Sequence, residues 1–94
     1  MILAASLASA GTMVGWISDA SCGAGNGNGD AASRDCAKRC INGGAAAVFV
    51  SEADQKVYKL DGTVDAKKHV DYKVKVTGDV KGDTIKVSEI KKAS

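Results

Sequence analysis

The chain has 94 residues, enough for one small domain, and its 13 basic and 11 acidic side chains leave a net charge of +2. So mild a charge, with aromatic residues at only 4%, argues against a nucleic acid as the partner. A domain of this size buries only about 60% of its unfolded surface, so a cross-link or a partner would add useful stability.

The first ten residues, MILAASLASA, form an uncharged apolar run that ends in Ala8-Ser9-Ala10, a pattern typical of signal peptidase sites. The run is too short to span a bilayer, which takes about 20 apolar residues, so we expect no transmembrane span. We interpret residues 1–10 as the end of an export signal that is cleaved after Ala10, leaving residues 11–94 as a single domain. A short helix packed on the domain is the alternative. Export predicts a periplasmic or secreted protein in an oxidising compartment.

The next elements are a strand, a loop and a helix. Thr12–Asp19 is rich in β-forming residues and predicts a first strand. Ser21–Asp30 alternates glycine with small polar residues, which predicts a flexible loop and does not match a dinucleotide-binding fingerprint. Asp30 is a suitable N-cap for a helix over Ala31–Asn42, with Gly43 as its C′ residue. Helical spacing puts both helix cysteines on the apolar face, pointing at the core.

Four further strands are predicted from β-forming and alternating segments. They are Ala46–Ser51, Lys56–Leu60, Tyr72–Val80 and Asp83–Lys91. Thr63 is placed to cap a short helix that runs to His69. Lys81-Gly82 predicts a tight hairpin turn, and Ile90 breaks the period of two, which predicts a bulge near Ser88.

This order predicts a mainly β fold. It matches an OB-fold-like five-stranded antiparallel barrel, with a helix inserted after strand 1 and a second short helix between strands 3 and 4.

Several segments resemble a family of small exported bacterial proteins, a domain of unknown function with an OB-like barrel. They are GWISDASCG, CAKRCINGGA, VFVS, KVYKL and VKVTGDVKGDTIKVSEI, which begin at residues 15, 36, 48, 56 and 74. The resemblance covers nearly all of the chain after residue 10 and implies export and fold, but no reaction. Its relatives often carry a histidine before the Cys-x-x-x-Cys motif, where this chain has Ala-Ala-Ser-Arg. That difference disfavours the transfer of a metal site.

Cys22, Cys36 and Cys40 are an odd number of cysteines, so one must stay outside any intrachain disulfide. Cys36 and Cys40 lie one helical turn apart, where a bridge would be strained. A bridge from Cys22 to either of them closes a loop of about 14 or 18 residues and is worth about 3 kcal/mol.

Two other roles for these cysteines stay open. Three converging thiolates can bind Cu(I) or Zn(II), with Asp19 or His69 as the fourth ligand, although the spacing is not a standard zinc pattern. Alternatively, the cysteine left over after one pair forms can take part in thiol exchange or in an intermolecular bridge.

A ligand surface is a further hypothesis. Trp16 with Lys73, Lys75 and Lys86 lies where OB folds bind oligonucleotides or sugars, although core packing is the simpler role for Trp16. With one histidine and no paired carboxylates, the chain lacks the usual catalytic groups. The sequence therefore favours a non-catalytic exported module, without a required cofactor, that binds a partner or belongs to a larger assembly.

Overall fold

The computed structural model describes residues 10–61, 66–70 and 72–93. Of the expected signal segment over residues 1–10, all but Ala10 lies outside this part, and Ala10 is the first residue of β1. The described chain is mainly β, with five strands in one mixed sheet and one α-helix after the first strand. The strands are β1 (Ala10–Asp19), β2 (Ala47–Ser51), β3 (Val57–Asp61), β4 (Val74–Lys81) and β5 (Thr84–Lys92). The helix, α1, spans Ala31–Asn42, as predicted.

The five strands pair in a closed ring, because β1 pairs with the strands at both ends of the order. β1 pairs with β4 through its first half and with β2 through its second half, and Gly15 is aligned with both Val74 and Ser51. The resulting order, β1-β2-β3-β5-β4, closes on β1. The prediction that all pairs are antiparallel is wrong at one place, because β3 and β5 run parallel. A closed ring with an odd number of strands cannot alternate direction throughout, so one pair must be parallel.

The core lies inside this ring and is built from alternate residues of the strands. Its largest fully buried members include Ile17, Phe49, Val74, Val76 and Ile85. The predicted bulge is confirmed: Thr77 faces Glu89 and Gly78 faces Val87, which leaves Ser88 as the extra residue. The bulge returns Ile90 to the inner face opposite Val76, where it packs against the core.

Both ends of α1 differ in detail from the prediction. Asp30 occupies the N-cap position, but its side chain makes no capping hydrogen bond, and its carbonyl accepts one from the Arg34 amide. At the other end Gly44, not Gly43, takes the left-handed conformation, with φ of 114°. The Ala45 and Gly44 amides then donate to the last free carbonyls, which is a Schellman ending with Gly44 at C′.

The second predicted helix, over Thr63–His69, is not formed as an α-helix in the described part of the connection. Residues 66–69 make a single 3₁₀ turn, and residues 62–65 lie outside the described part. One turn is sufficient here because Ala66 and Val70 are both buried in the core, and the chain must extend again to reach β4 at Val74.

The segment over residues 20–30, which we call the strap, is not the flexible loop that its composition predicted. It contains a 3₁₀ turn at Gly23–Asn26 and lies across the outer face of β1 and β2. A side chain at Gly27 would collide with Val50, and one at Gly29 would collide with the ring of Trp16. The glycines therefore let the backbone approach these side chains closely, and Val50, on the outside of the sheet, becomes fully buried.

We expect Gly27→Ala to lower the free energy of unfolding by about 2 kcal/mol, because the new Cβ overpacks a stiff β-branched side chain. It would lie 2.5 Å from Val50 Cγ2 and 2.6 Å from Val50 Cβ. The matched control is Gly25→Ala in the same strap, whose Cβ meets Cys22 Cβ at 3.9 Å, an ordinary contact. Urea unfolding of both variants makes the comparison, and equal midpoints would contradict the close approach of the strap.

Candidate functional site

The three cysteines and Asp19 form a group at the end of β1, which we call the thiol cluster. Asp19 is the last residue of β1 and is fully buried. Its carboxylate accepts a hydrogen bond of 2.9 Å from the backbone N–H of Cys22. This bond turns the chain sharply out of the strand and fixes the position of Cys22 at the start of the strap.

The helix brings the other two cysteines to the same place. Ser33, Cys36 and Cys40 follow one another at intervals of three and four residues, so they share one face of α1. That face meets the strap, where the Ser33 hydroxyl donates to the Gly25 carbonyl at 3.5 Å. The Gly25 amide in turn donates to the Cys22 carbonyl at 3.0 Å. The strap and α1 therefore bring Cys22 to the same side of the sheet as the two helix cysteines.

Cys36 is the central thiol of the cluster. Its side chain is among the groups that raise the pKa of both Cys22 and Cys40. All three cysteines are free thiols, with Cys22 exposed and the two helix cysteines half-buried. The prediction that the helix cysteines point into the core is therefore wrong. Ala37 and Ile41 occupy the centre of the buried stripe, and the cysteines one position before each of them lie at its edge.

The thiols sit in an unfavourable environment for a negative charge. The nearby charge of Asp19 is the main cause that raises the pKa of Cys22, with burial and Cys36 adding to it. Burial is the main cause that raises the pKa of Cys40, followed by the charge of Asp19. Because a thiolate is the reactive form of cysteine, both thiols are less nucleophilic at neutral pH than an ordinary cysteine.

These raised pKa values predict a loss of stability at high pH in the reduced protein. A thiol whose pKa is higher in the folded state stabilises the fold below the unfolded value of about 8.5, and this contribution is lost as the pH rises through the folded value. Urea unfolding from about pH 7 to about pH 10 should therefore show a falling midpoint. The control is the Cys22→Ser, Cys40→Ser double variant. Its midpoint should fall less steeply, and an identical pH dependence would contradict the role of Asp19.

The sequence suggested His69 as an alternative fourth ligand for a metal ion bound by the three thiols. His69 lies on the 3₁₀ turn before β4, and its ring packs edge-on against Tyr72 with centroids 5.8 Å apart. The charges that act on the thiols come from Asp19 and from the thiols themselves. In the described ranges, no three or more His, Cys, Asp or Glu side chains stand in a metal-binding arrangement.

Of the ligand surface that the sequence suggested, the fold places Lys73 beside Trp16 but keeps Lys86 apart from them. The Lys73 ammonium lies 5.8 Å from the Trp16 ring centroid and forms a 2.6 Å ion pair with Glu52. Lys75 faces Lys91 across the β4–β5 pair, whereas Lys86 faces Asp79 farther along the same pair. Trp16 is half-buried between Lys73 and the strap, so it is neither a core residue nor an open stacking platform.

The role of the strap was missed by sequence reasoning, although a signal was present. Gly27 and Gly29, two residues apart, lack the side chains that would keep the strap away from Val50 and Trp16. In the fold Asp19 organises the turn that carries Cys22. Its role as a fourth metal ligand stays a prediction.

Comparison of the chain with protein-family models, with curated proteins and with solved structures finds no match. Among the helices of the described chain, none has the length and apolar character that a bilayer crossing requires.

Proposed function

We propose that this chain is an exported, non-catalytic binding or accessory module, an OB-like barrel over residues 11–94 whose thiol cluster closes as a disulfide. The strand order β1-β2-β3-β5-β4 and the single parallel pair support the OB-like description. The resemblance to a family of exported bacterial proteins of unknown function supports a periplasmic or secreted location, where cysteines tend to pair.

The observation that carries the proposal is that the strap, which bears Cys22, lies against the face of α1 that bears Cys36. The Ser33 hydroxyl on that face donates to the Gly25 carbonyl of the strap, and Cys36 acts on the pKa of Cys22. A bond between them joins the strap to α1 and closes a loop of about 14 residues, worth about 3 kcal/mol. A bond between Cys36 and Cys40 would join positions one turn apart on a helix, with Cα atoms about 6 Å apart, and would be strained. The favoured pair is therefore Cys22 with Cys36, and Cys40 is the remaining thiol.

The raised pKa values support a structural role over an enzymatic one. Thiol enzymes lower the pKa of their nucleophile by a cationic neighbour or a helix N-terminus. Here Asp19 acts in the opposite sense on Cys22, and burial does so on Cys40. A thiol-redox activity is therefore the less favoured alternative, and a protein partner or a larger assembly is the favoured context.

A thiolate metal site is the second candidate, because the three thiols and Asp19 act on one another's pKa values; the described side chains would have to rearrange to bind a metal, since they do not form a metal-binding group as they stand. Cu(I) or Zn(II) would replace the protons that Asp19 and burial hold on the thiols. Binding of an oligonucleotide or a glycan has less support, because the strap and Lys73 cover Trp16 and Lys86 lies apart from Lys73.

Thiol counting and metal analysis test the proposal on protein purified from an oxidising compartment. We expect one free thiol before reduction and three after it, without stoichiometric metal. Three free thiols with one bound Cu or Zn would establish the metal alternative. Three free thiols and no metal would contradict both.

A further inference from the structure

Asn28 in the strap is followed by glycine, as are Asn26 and Asn42. An asparagine before glycine is open to intramolecular attack by the next backbone nitrogen, because glycine has no side chain to block the approach. In the folded structure the three Asn-Gly pairs have different surroundings. We propose that Asn28 is a site of spontaneous deamidation in the folded protein, and that the other two asparagines are protected.

The local geometry prepares Asn28 for this reaction. Its side-chain carbonyl oxygen accepts a 3.0 Å hydrogen bond from the backbone N–H of Asp30. The ring that this hydrogen bond closes contains the Gly29 nitrogen, so the side-chain carbonyl is held beside the stretch of backbone that carries this nitrogen, and the bond withdraws electrons from the carbonyl. In the described part of the chain the Gly29 amide has no hydrogen-bond acceptor, and Asn28 is exposed to water. The attacking nitrogen, the activated carbonyl and the solvent are therefore all available.

The other two positions lack this arrangement. The Gly43 amide, which would attack Asn42, donates to the carbonyls of Arg39 at 3.0 Å and Cys40 at 3.2 Å. These bonds hold the proton that must leave before the nitrogen can attack. Gly27, which would supply the attacking nitrogen at Asn26, is buried against Val50, so its amide is shielded from the water and base that must remove its proton.

The reaction balances with water as the only co-reactant. The Gly29 nitrogen gives up its proton and bonds to the side-chain carbonyl carbon of Asn28, the carbon–nitrogen bond of the amide breaks, and ammonia leaves. Water then opens the five-membered ring at either carbonyl. The product is aspartate or isoaspartate at position 28. The isoaspartate form adds one carbon to the backbone directly before Gly29, which packs on Trp16.

The test is incubation of the full chain at mildly alkaline pH, followed by tandem mass spectrometry of its tryptic peptides. We expect deamidation at Asn28 to be at least about tenfold faster than at Asn42, the rate ratio that about 1.4 kcal/mol of hydrogen bonding at the Gly43 amide would produce. In urea the three positions should react at similar rates, because the fold no longer distinguishes them. Equal rates in the folded protein, or a faster reaction at Asn42, would overturn the proposal.

Trp16 fluorescence gives a second readout, because the chain has a single tryptophan. The spectrum of the incubated protein should shift with the isoaspartate content. The Asn28→Gln variant removes the reactive amide and should stay unchanged on incubation. The Asn28→Asp variant introduces the charge without the extra backbone carbon, so its spectrum should match that of the fresh protein. An incubation-dependent shift in Asn28→Gln would contradict the assignment to Asn28.

Discussion

Replacing Gly15 with alanine should lower the free energy of unfolding by about 3 kcal/mol. Gly15 lies where β1 changes partner, aligned with both Val74 and Ser51. An added Cβ would overlap the backbone carbonyl of Val50 and lie 2.8 Å from Cζ of the buried Phe49 ring. The Val50 carbonyl belongs to a paired strand and cannot move aside without breaking the sheet.

The matched control is Gly11→Ala in the same strand, because an added Cβ at Gly11 meets no atom within 4 Å. Alanine there should leave stability unchanged or raise it slightly, since it restricts the unfolded chain. Thermal and urea unfolding of the two variants measure the difference. A Gly15→Ala protein as stable as Gly11→Ala would show that β1 does not pass this close to β2.

Removing the central thiol should have the second large effect. Under oxidising conditions we expect Cys36→Ser to lose up to about 3 kcal/mol relative to the parent protein, because Cys22 loses its favoured partner and keeps only the less favoured bridge to Cys40. Cys40→Ser should keep the loop and lose much less. The prediction follows because Cys36 acts on the pKa of both other thiols.

The same variants under reducing conditions provide the control. Without a disulfide, Cys36→Ser and Cys40→Ser should differ little in stability. If Cys40→Ser were the more damaging change in the oxidised protein, Cys40 rather than Cys36 would be the partner of Cys22.

Much of the fold could be predicted from local patterns. Alternation in the C-terminal hairpin predicted the inward residues Val74, Val76, Ile85 and Val87, all of which are buried. The break in period at Ile90 located the bulge at Ser88. The strand β4 begins two residues later than predicted, at Val74, because Tyr72 packs against His69 of the preceding turn. Such a contact cannot be recognised from alternation alone.

The parts that were missed depend on tertiary arrangement. The parallel pair of β3 and β5 arises from closing five strands into a ring, which no single segment encodes. The glycines of the strap were interpreted as flexibility, whereas at Gly27 and Gly29 they permit close packing on Val50 and Trp16. For the thiol cluster, spacing predicted that Cys36 and Cys40 share a helix face. The sequence did not predict the hydrogen bond from the Cys22 amide to the Asp19 carboxylate, which fixes the position of Cys22 near that face.

Mapping the disulfide tests the central claim most directly. Arg34 separates Cys22 from Cys36, and Lys38 and Arg39 separate Cys36 from Cys40, so trypsin places each cysteine on its own peptide. The protein is taken from an oxidising compartment, alkylated without reduction, digested and analysed by mass spectrometry. We predict that the peptide carrying Cys22 is linked to the peptide carrying Cys36, with Cys40 alkylated. A link from Cys40 to either cysteine, or alkylation of all three, would contradict the account.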